Sequence, residues 1–311
     1  MGTEIPLRQL GFVGLPPHAK AGGFDHAAVH EPTGRVYVAH TANDAVDVLD
    51  ITTLRYVRSI PDLPGVAGAL VAEPDLVFTS NRGENTVGLL TTADVPRVAK
   101  VAVGIRPNGL AYDAGRARLL VAHVGDPTSP GSFTVSVVDV RARKRLIDVP
   151  VAGRTRWAVY DPATDAFHIN IADPPCIVVI DSADPVRIRR VVSMPAAGPH
   201  GLDIDVAGRR LYCACDGGVL AAVDADSGKV VDLHPIAGVP DVVFFNAALG
   251  RLYVAIGDPG LIEVFDTGVL RRRETVPTES GAHTLSFDAA RNLVCAFLPQ
   301  THRAAVYEDR A

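Results

Sequence analysis

A ring of seven four-stranded antiparallel sheets, an all-β propeller, is the architecture that this chain of 311 residues predicts. Three observations carry the prediction. A unit typified by Gly198 to Asp224, GPHGLDIDVAGRRLYCACDGGVLAAVD, returns from one end of the chain to the other. The copies recur every 41 to 48 residues, the spacing of propeller blades built from four short strands each. No stretch shows helical periodicity. A unit of this kind cannot bury its own faces and must stack against copies of itself.

The parts of each copy follow in a fixed order. In the copy at 198–224 a polar loop residue, His200, precedes a short apolar strand with Leu202 and Ile204. A turn rich in Asp and Gly follows, then a second strand opening on Arg210-Leu211-Tyr212, a polar loop, and a third strand closing on Ala222, Val223 and Asp224. Seven copies align on their second strands: Val36-Tyr37-Val38, Leu76-Val77-Phe78, Leu119-Leu120-Val121, Phe167-His168-Ile169, Leu211-Tyr212-Cys213, Leu252-Tyr253-Val254 and Leu293-Val294-Cys295. The residue opening the first strand then falls at 25, 67, 108, 156, 200, 241 and 283. The last copy, His283 to Ala311, has room for three strands only. Leu7 to Leu15 alternate enough to supply the fourth, which closes the ring and removes an edge open to aggregation. The expectation is one domain over residues 1–311.

Composition agrees and excludes several classes. Apolar residues make up 48% of the chain, aromatic residues 6% and charged residues 21%, with 28 Gly and 23 Pro for turns, which is globular rather than disordered. A net charge of −5 and basic runs as short as Arg141 to Arg145 and Arg271 to Arg273 argue against a nucleic-acid partner. The N-terminal stretch lacks the basic start and long apolar core of a signal peptide, and no apolar run approaches a membrane span. A soluble cytoplasmic protein is expected. Of the four cysteines, Cys213 and Cys295 share a strand position with Val38, Val121 and Val254 and read as small buried hydrophobes, Cys215 lies at a strand end, and with Cys176 they form no CxxC pair or disulfide framework.

The strand pattern Gly34-Arg35-Val36-Tyr37-Val38-Ala39 followed by Ala45-Val46-Asp47-Val48-Leu49-Asp50 resembles the YVTN-type repeat of YncE-like seven-bladed propellers. Arg251-Leu252-Tyr253-Val254-Ala255 with Ile262-Glu263-Val264-Phe265-Asp266, and Thr134-Val135-Ser136-Val137-Val138-Asp139, match it as well. The resemblance covers nearly the whole chain and implies the fold; its members include binding and redox proteins. More distantly, Pro107-Asn108-Gly109-Leu110-Ala111 resembles the loops that supply metal ligands in gluconolactonase-type and streptogramin-lyase-type propellers. The remaining ligands of the lactonases are typically acidic, whereas several corresponding loops here carry His.

In a propeller the loop before each innermost strand and the loop between the second and third strands lie on one face, around the channel. The opening positions read Asp25, Ala67, Asn108, Arg156, His200, Asp241 and His283, six of them polar. Blades 5, 6, 7 and 1 are consecutive in the closed ring, so His200, Asp241, His283 and Asp25 are expected on one arc with His26 beside it. Two imidazoles with one or two carboxylates suit a divalent transition metal such as zinc, iron, nickel or copper, with His200, His283 and Asp241 as ligands. Asp25 or His26 then serves as base for a bound water. Arg156 and Asn108 across the channel are placed to orient a carboxylate or carbonyl. His40, His123 and Cys215 fall on alternate blades and are expected as pocket walls rather than ligands of one ion, and Trp157 either stacks on a ligand or packs between blades. The blade 3 insertion Asp126 to Gly131 is placed to cover part of the mouth. The alternative for all these polar positions is a water-filled channel whose side chains bond the backbone of neighbouring blades.

Asp113, Asp161, Asp205 and Asp288, with His30 and Asn246 in the same position, precede turns and are expected to stabilise them. No G-x-S-x-G, P-loop, dinucleotide fingerprint or HExxH occurs. The expected function is a metal-dependent hydrolase or lyase acting on a small carbonyl- or carboxylate-bearing substrate. A non-catalytic propeller binding a ligand or protein partner is the alternative, and a copper or iron redox protein a third reading.

Overall fold

The computed structural model describes residues 7–72 and 74–310. Residues 1–6 and 311, which the sequence reading took into the domain, lie outside the described residues. Seven sheets of four antiparallel strands each form a β-propeller. Blade 1 runs outward through Phe24–His30, Arg35–His40, Ala45–Asp50 and Arg55–Ile60. Blades 2 to 6 repeat this meander from innermost strands Val66–Ala72, Pro107–Asp113, Thr155–Asp161, Pro199–Asp205 and Val239–Asn246.

Blade 7 is assembled from both ends of the chain. Leu285–Asp288, Leu293–Leu298 and Arg303–Asp309 are joined on the outside by Leu7–Gly14, in a register running from Leu7 opposite Asp309 to Gly14 opposite Arg303. The N-terminal strand closes the ring as its alternation predicts. Among the described residues the only helical element is the 3-10 turn Thr41–Asn43, and no helix is long and apolar enough to cross a membrane.

The buried core lies between blades rather than within them. Second and third strands such as Arg118–His123 and Thr134–Asp139 are buried almost throughout, since neighbouring blades cover both faces. Each of seven apolar clusters draws on two adjacent blades. Tyr37, Val46 and Val48 of blade 1, for example, pack on Val66, Val77 and Leu90 of blade 2. At roughly 1.5–3 kcal/mol for each large apolar side chain removed from water, the favourable energy of folding resides in stacking, as the repeat requires. Cys213, Cys215 and Cys295 are among the buried residues, Cys215 included.

Turn positions carry the expected bonds. Asp113, Asp161, Asp205, Asn246 and Asp288 each accept a backbone N–H two or three residues ahead, and His30 Nδ1 meets Thr33 Oγ1 at 2.8 Å. Some also knit blades together: Arg116 of blade 3 reaches Asp165 of blade 4, and Arg209 of blade 5 reaches Asp161 of blade 4.

Candidate functional site

What places the site is a defect repeated in the innermost strands. In blades 1 to 6 the pairing of the first strand with the second slips near its start, between Phe24 and Ala27, Val66 and Gly68, Pro107 and Leu110, Thr155 and Ala158, Pro199 and Gly201, and Pro240 and Val243. Asp25, Ala67, Asn108, Arg156, His200 and Asp241 each sit inside such a bulge. A bulged residue leaves the ladder and can be re-aimed, so these side chains are free to turn to the channel mouth. His283 reaches the same mouth from just before the short strand of blade 7.

A cavity of about 570 Å³ opens at this mouth, and its lining includes Asp25, His26, Asn108, Arg156, His200, Asp241 and His283. Arg82, Arg154 and Asp258 belong to it as well. One hydrogen-bonded chain runs along the arc of blades 5 to 7. His283 Nδ1 lies 2.5 Å from Asp241 Oδ2, His200 Nε2 lies 3.0 Å from Asp241 Oδ1, and His200 Nδ1 lies 2.8 Å from Asp216 Oδ1. Arg156 adds a contact from Nη2 to Asp216 Oδ2 at 3.2 Å. On the other side, Arg82 bridges Asp25, at 3.2 Å, and Asn108.

The charges follow from these contacts. Burial works against charge on His200, but Asp241 and Asp216 outweigh it and raise the imidazole to about 9. Burial likewise opposes charge on His283, and Asp241 again outweighs it and raises the ring above its ordinary value. Asp241 itself would be raised by burial, yet the two imidazoles hold it well below the usual carboxylate range. His26 goes the other way: burial dominates over Asp25 and Asp241 and lowers it. His200 Nε2 also stands 3.0 Å from Arg156 Nη1. A protonated ring must give that nitrogen's hydrogen to Asp241, which leaves Nη1 of Arg156 without an acceptor and available to a ligand.

A metal chelate needs three lone pairs aimed at one point. Here both nitrogens of His200 face carboxylates, Nδ1 of His283 faces Asp241, and Asp241 stands between the two rings. Among the described residues no three His, Cys, Asp or Glu side chains are grouped to hold a metal ion. The expected ligands do converge, but as a proton-sharing chain, and this arrangement does not fit a divalent metal.

Three arginines of blades 2 to 4, Arg82, Arg154 and Arg156, line the rest of the mouth. Burial lowers Arg154, and the charges of Arg156, Arg82 and Arg106 lower it further against the pull of Asp216. Arg82 has Asp25 and Arg156 has Asp216 as carboxylate partners, whereas no hydrogen bond or ion pair involves the Arg154 guanidinium among the described residues. Arg154 is thus the arginine of the mouth that no carboxylate holds by hydrogen bond or ion pair, Asp216 acting on it only at longer range.

Other expectations end elsewhere. His40 and His123, expected as pocket walls, are fully buried inside their blades and line neither the mouth nor the channel below it. His40 Nδ1 meets Asp47 at 2.7 Å and its Nε2 meets His18 at 2.7 Å, while His123 is held by Thr134 and Ser136. Both rings follow the strand alternation into the blade packing, where polar partners await them. Trp157 neither lines the mouth nor simply fills a blade interface. It crosses the channel to His26 of blade 1, ring centroids 4.1 Å apart, and meets Phe244 of blade 6 at 6.4 Å. The Asp126 to Gly131 insertion folds on itself through Thr128 and Ser132 and contributes nothing to the mouth's lining. Arg82, Arg154 and Asp216 were not among the expected site residues. Arg82 and Asp216 occupy the loop after the second strand, on the face where sites were expected, so their polarity at that place is the signal that finds them.

No family model matches the chain, and no curated protein matches it. Among solved structures the chain is similar to one from Kuenenia stuttgartiensis hydrazine synthase, with a TM-score of 0.80, 13% identity, and coverage of 93% of this chain and 97% of that one. At this identity the likeness shows the seven-bladed propeller fold alone.

Proposed function

We propose that the mouth is the active site of an enzyme performing acid–base chemistry, hydrolysis or elimination, on a small anionic substrate with a carbonyl or carboxylate. The observation that carries the reading is the Arg154 guanidinium without a partner, facing the His283–Asp241–His200 chain across one cavity. Arg154 and the free Nη1 of Arg156 match the two oxygens of a carboxylate. Asp241 holds Nδ1 of His283 and leaves Nε2, on a ring about one-third exposed, as the atom that gives or takes the substrate's proton. Asp241 raises His283 above its ordinary value and so favours the charged ring, which casts it first as a proton donor. His200, charged between two carboxylates, fixes the position of Asp241 and adds positive potential for an oxyanion.

The YVTN-type resemblance adds the fold to this reading and no substrate. A binding propeller that does not turn its ligand over rests on the same arginines, and one variant separates the two. On a panel of carboxylate-bearing lactones, esters and elimination substrates, His283→Ala should lower kcat by about 10²–10⁴-fold, the usual worth of a general acid or base, with ligand binding kept. Turnover unchanged in His283→Ala would remove this residue from the chemistry.

A further inference from the structure

The channel does not end at the mouth. Below the His26–Trp157 contact lies a second cavity of about 520 Å³, sharing only His26 with the one above. Its size is that of a small-molecule site. Leu70, Val159, Trp157, Phe244 and Phe287 give it apolar walls, and into them is set one carboxyl group, Asp203. The carboxyl accepts backbone N–H groups from Ile204 at 2.8 Å and Phe245 at 2.7 Å. Two of its roughly four acceptor sites are thus used, and no cationic side chain lies among the residues of the cavity wall. The other ionisable groups of the wall are His26, whose charged form burial disfavours, and the phenols of Tyr112 and Tyr160, which burial pushes up. A carboxylate in such walls has no cationic side chain among them to balance its charge.

We propose that this lower chamber is a second ligand site, for a lipophilic monoammonium compound whose ammonium group pairs with Asp203 while its apolar part packs against Trp157 and Phe244. An ammonium supplies the missing counter-charge, and the aromatic faces add attraction to the same cation. Anions are excluded by the same carboxylate, so the two chambers of the channel select opposite charges. Burial raises the Asp203 acid to about 6, and amine binding strengthens as pH rises through that value.

Trp157 is the chain's only tryptophan, so its fluorescence reports the chamber directly. Titrating the full chain with 2-phenylethylamine, 2-phenylethanol and 3-phenylpropionate should give a saturable change with the amine, at least about ten-fold tighter than the alcohol, and none with the acid. Amine affinity should rise several-fold from about pH 5 to pH 8 while that of the alcohol stays flat. Asp203→Asn should bring the amine down to the level of the alcohol. Equal binding of amine and alcohol by the wild-type protein, no saturable change with the amine, or an amine preference surviving in Asp203→Asn would each overturn the proposal. The wild-type comparison and its pH dependence decide the matter even if the variant does not fold.

Discussion

Asp241 stands between two imidazoles, and the electrostatics of the mouth depend on it. His200 is raised to about 9 because Asp241 and Asp216 outweigh its burial, so it has a higher affinity for a proton in the folded protein than in the unfolded chain. Its contribution to stability is then fully present below the ordinary histidine value of about 6.5 and is lost as pH rises toward 9. The melting temperature of the wild-type protein should fall between about pH 6.5 and pH 9.5, and that of His200→Gln should fall less over the same span. Equal slopes would show that His200 titrates at its ordinary value. Much of this arc was legible in the sequence, because His200, Asp241, His283 and Asp25 occupy one position of the repeat in neighbouring blades. Its chemistry was not: spacing brings donors together, while the direction of the His200 ring depends also on Asp216, which belongs to a different loop. His40 and His123 show the converse, since a polar residue at a strand end reads the same whether it faces the channel or a buried Asp47 or Ser136.

At the scale of the element, the bulge in the innermost strands of blades 1 to 6 separates structure from function. Below it the strand pairs regularly and, in blades 3 to 6, ends on the acid or amide of the turn; within it the residue is released to the mouth. The repeat revealed both positions, but a bulge leaves no mark in apolar alternation, so the re-aiming of His26 and Trp157 across the channel was not legible. The turn acids, expected to hold single turns, also join blades. Burial alone would raise Asp161, but contacts from His168, Arg209, Thr164 and the Ala163 N–H hold it far below its ordinary value. A depressed carboxyl contributes stability above its unfolded value of about 4 and loses it as pH falls toward the folded one. Asp161→Asn should therefore destabilise the protein by about 3 kcal/mol at pH 7, the low end of what breaking a buried ion pair costs, because Arg209 keeps Asp226. Denaturant unfolding measures the loss, which should shrink in acid; a loss independent of pH would mean that the charge of Asp161 is irrelevant.

The whole molecule depends on a single closure. Leu7 and Val13 of the N-terminal strand enter two different apolar clusters, one shared by blades 6 and 7 and the other by blades 7 and 1. Removing residues 1–14 exposes the edge of Arg303–Asp309 and thins both clusters together, so the shortened chain should associate and lose a single cooperative melting transition. A monomer melting within a few degrees of the full chain would show that the ring holds without its clasp. Closure also brings blade 7 beside blade 1, which places His283 and Asp25 on one rim of a mouth whose remaining lining includes the arginines of blades 2 to 4. The measurement that bears most directly on this arrangement is calorimetric titration of small hydroxy- and dicarboxylates into wild-type protein, Arg154→Ala and His283→Ala. The arrangement predicts salt-sensitive binding of at least one carboxylate, weakened about ten-fold or more by Arg154→Ala, as for a lost charged hydrogen bond, and retained in His283→Ala. Carboxylate binding indifferent to Arg154, or none from the whole panel, would contradict an anion site at the mouth.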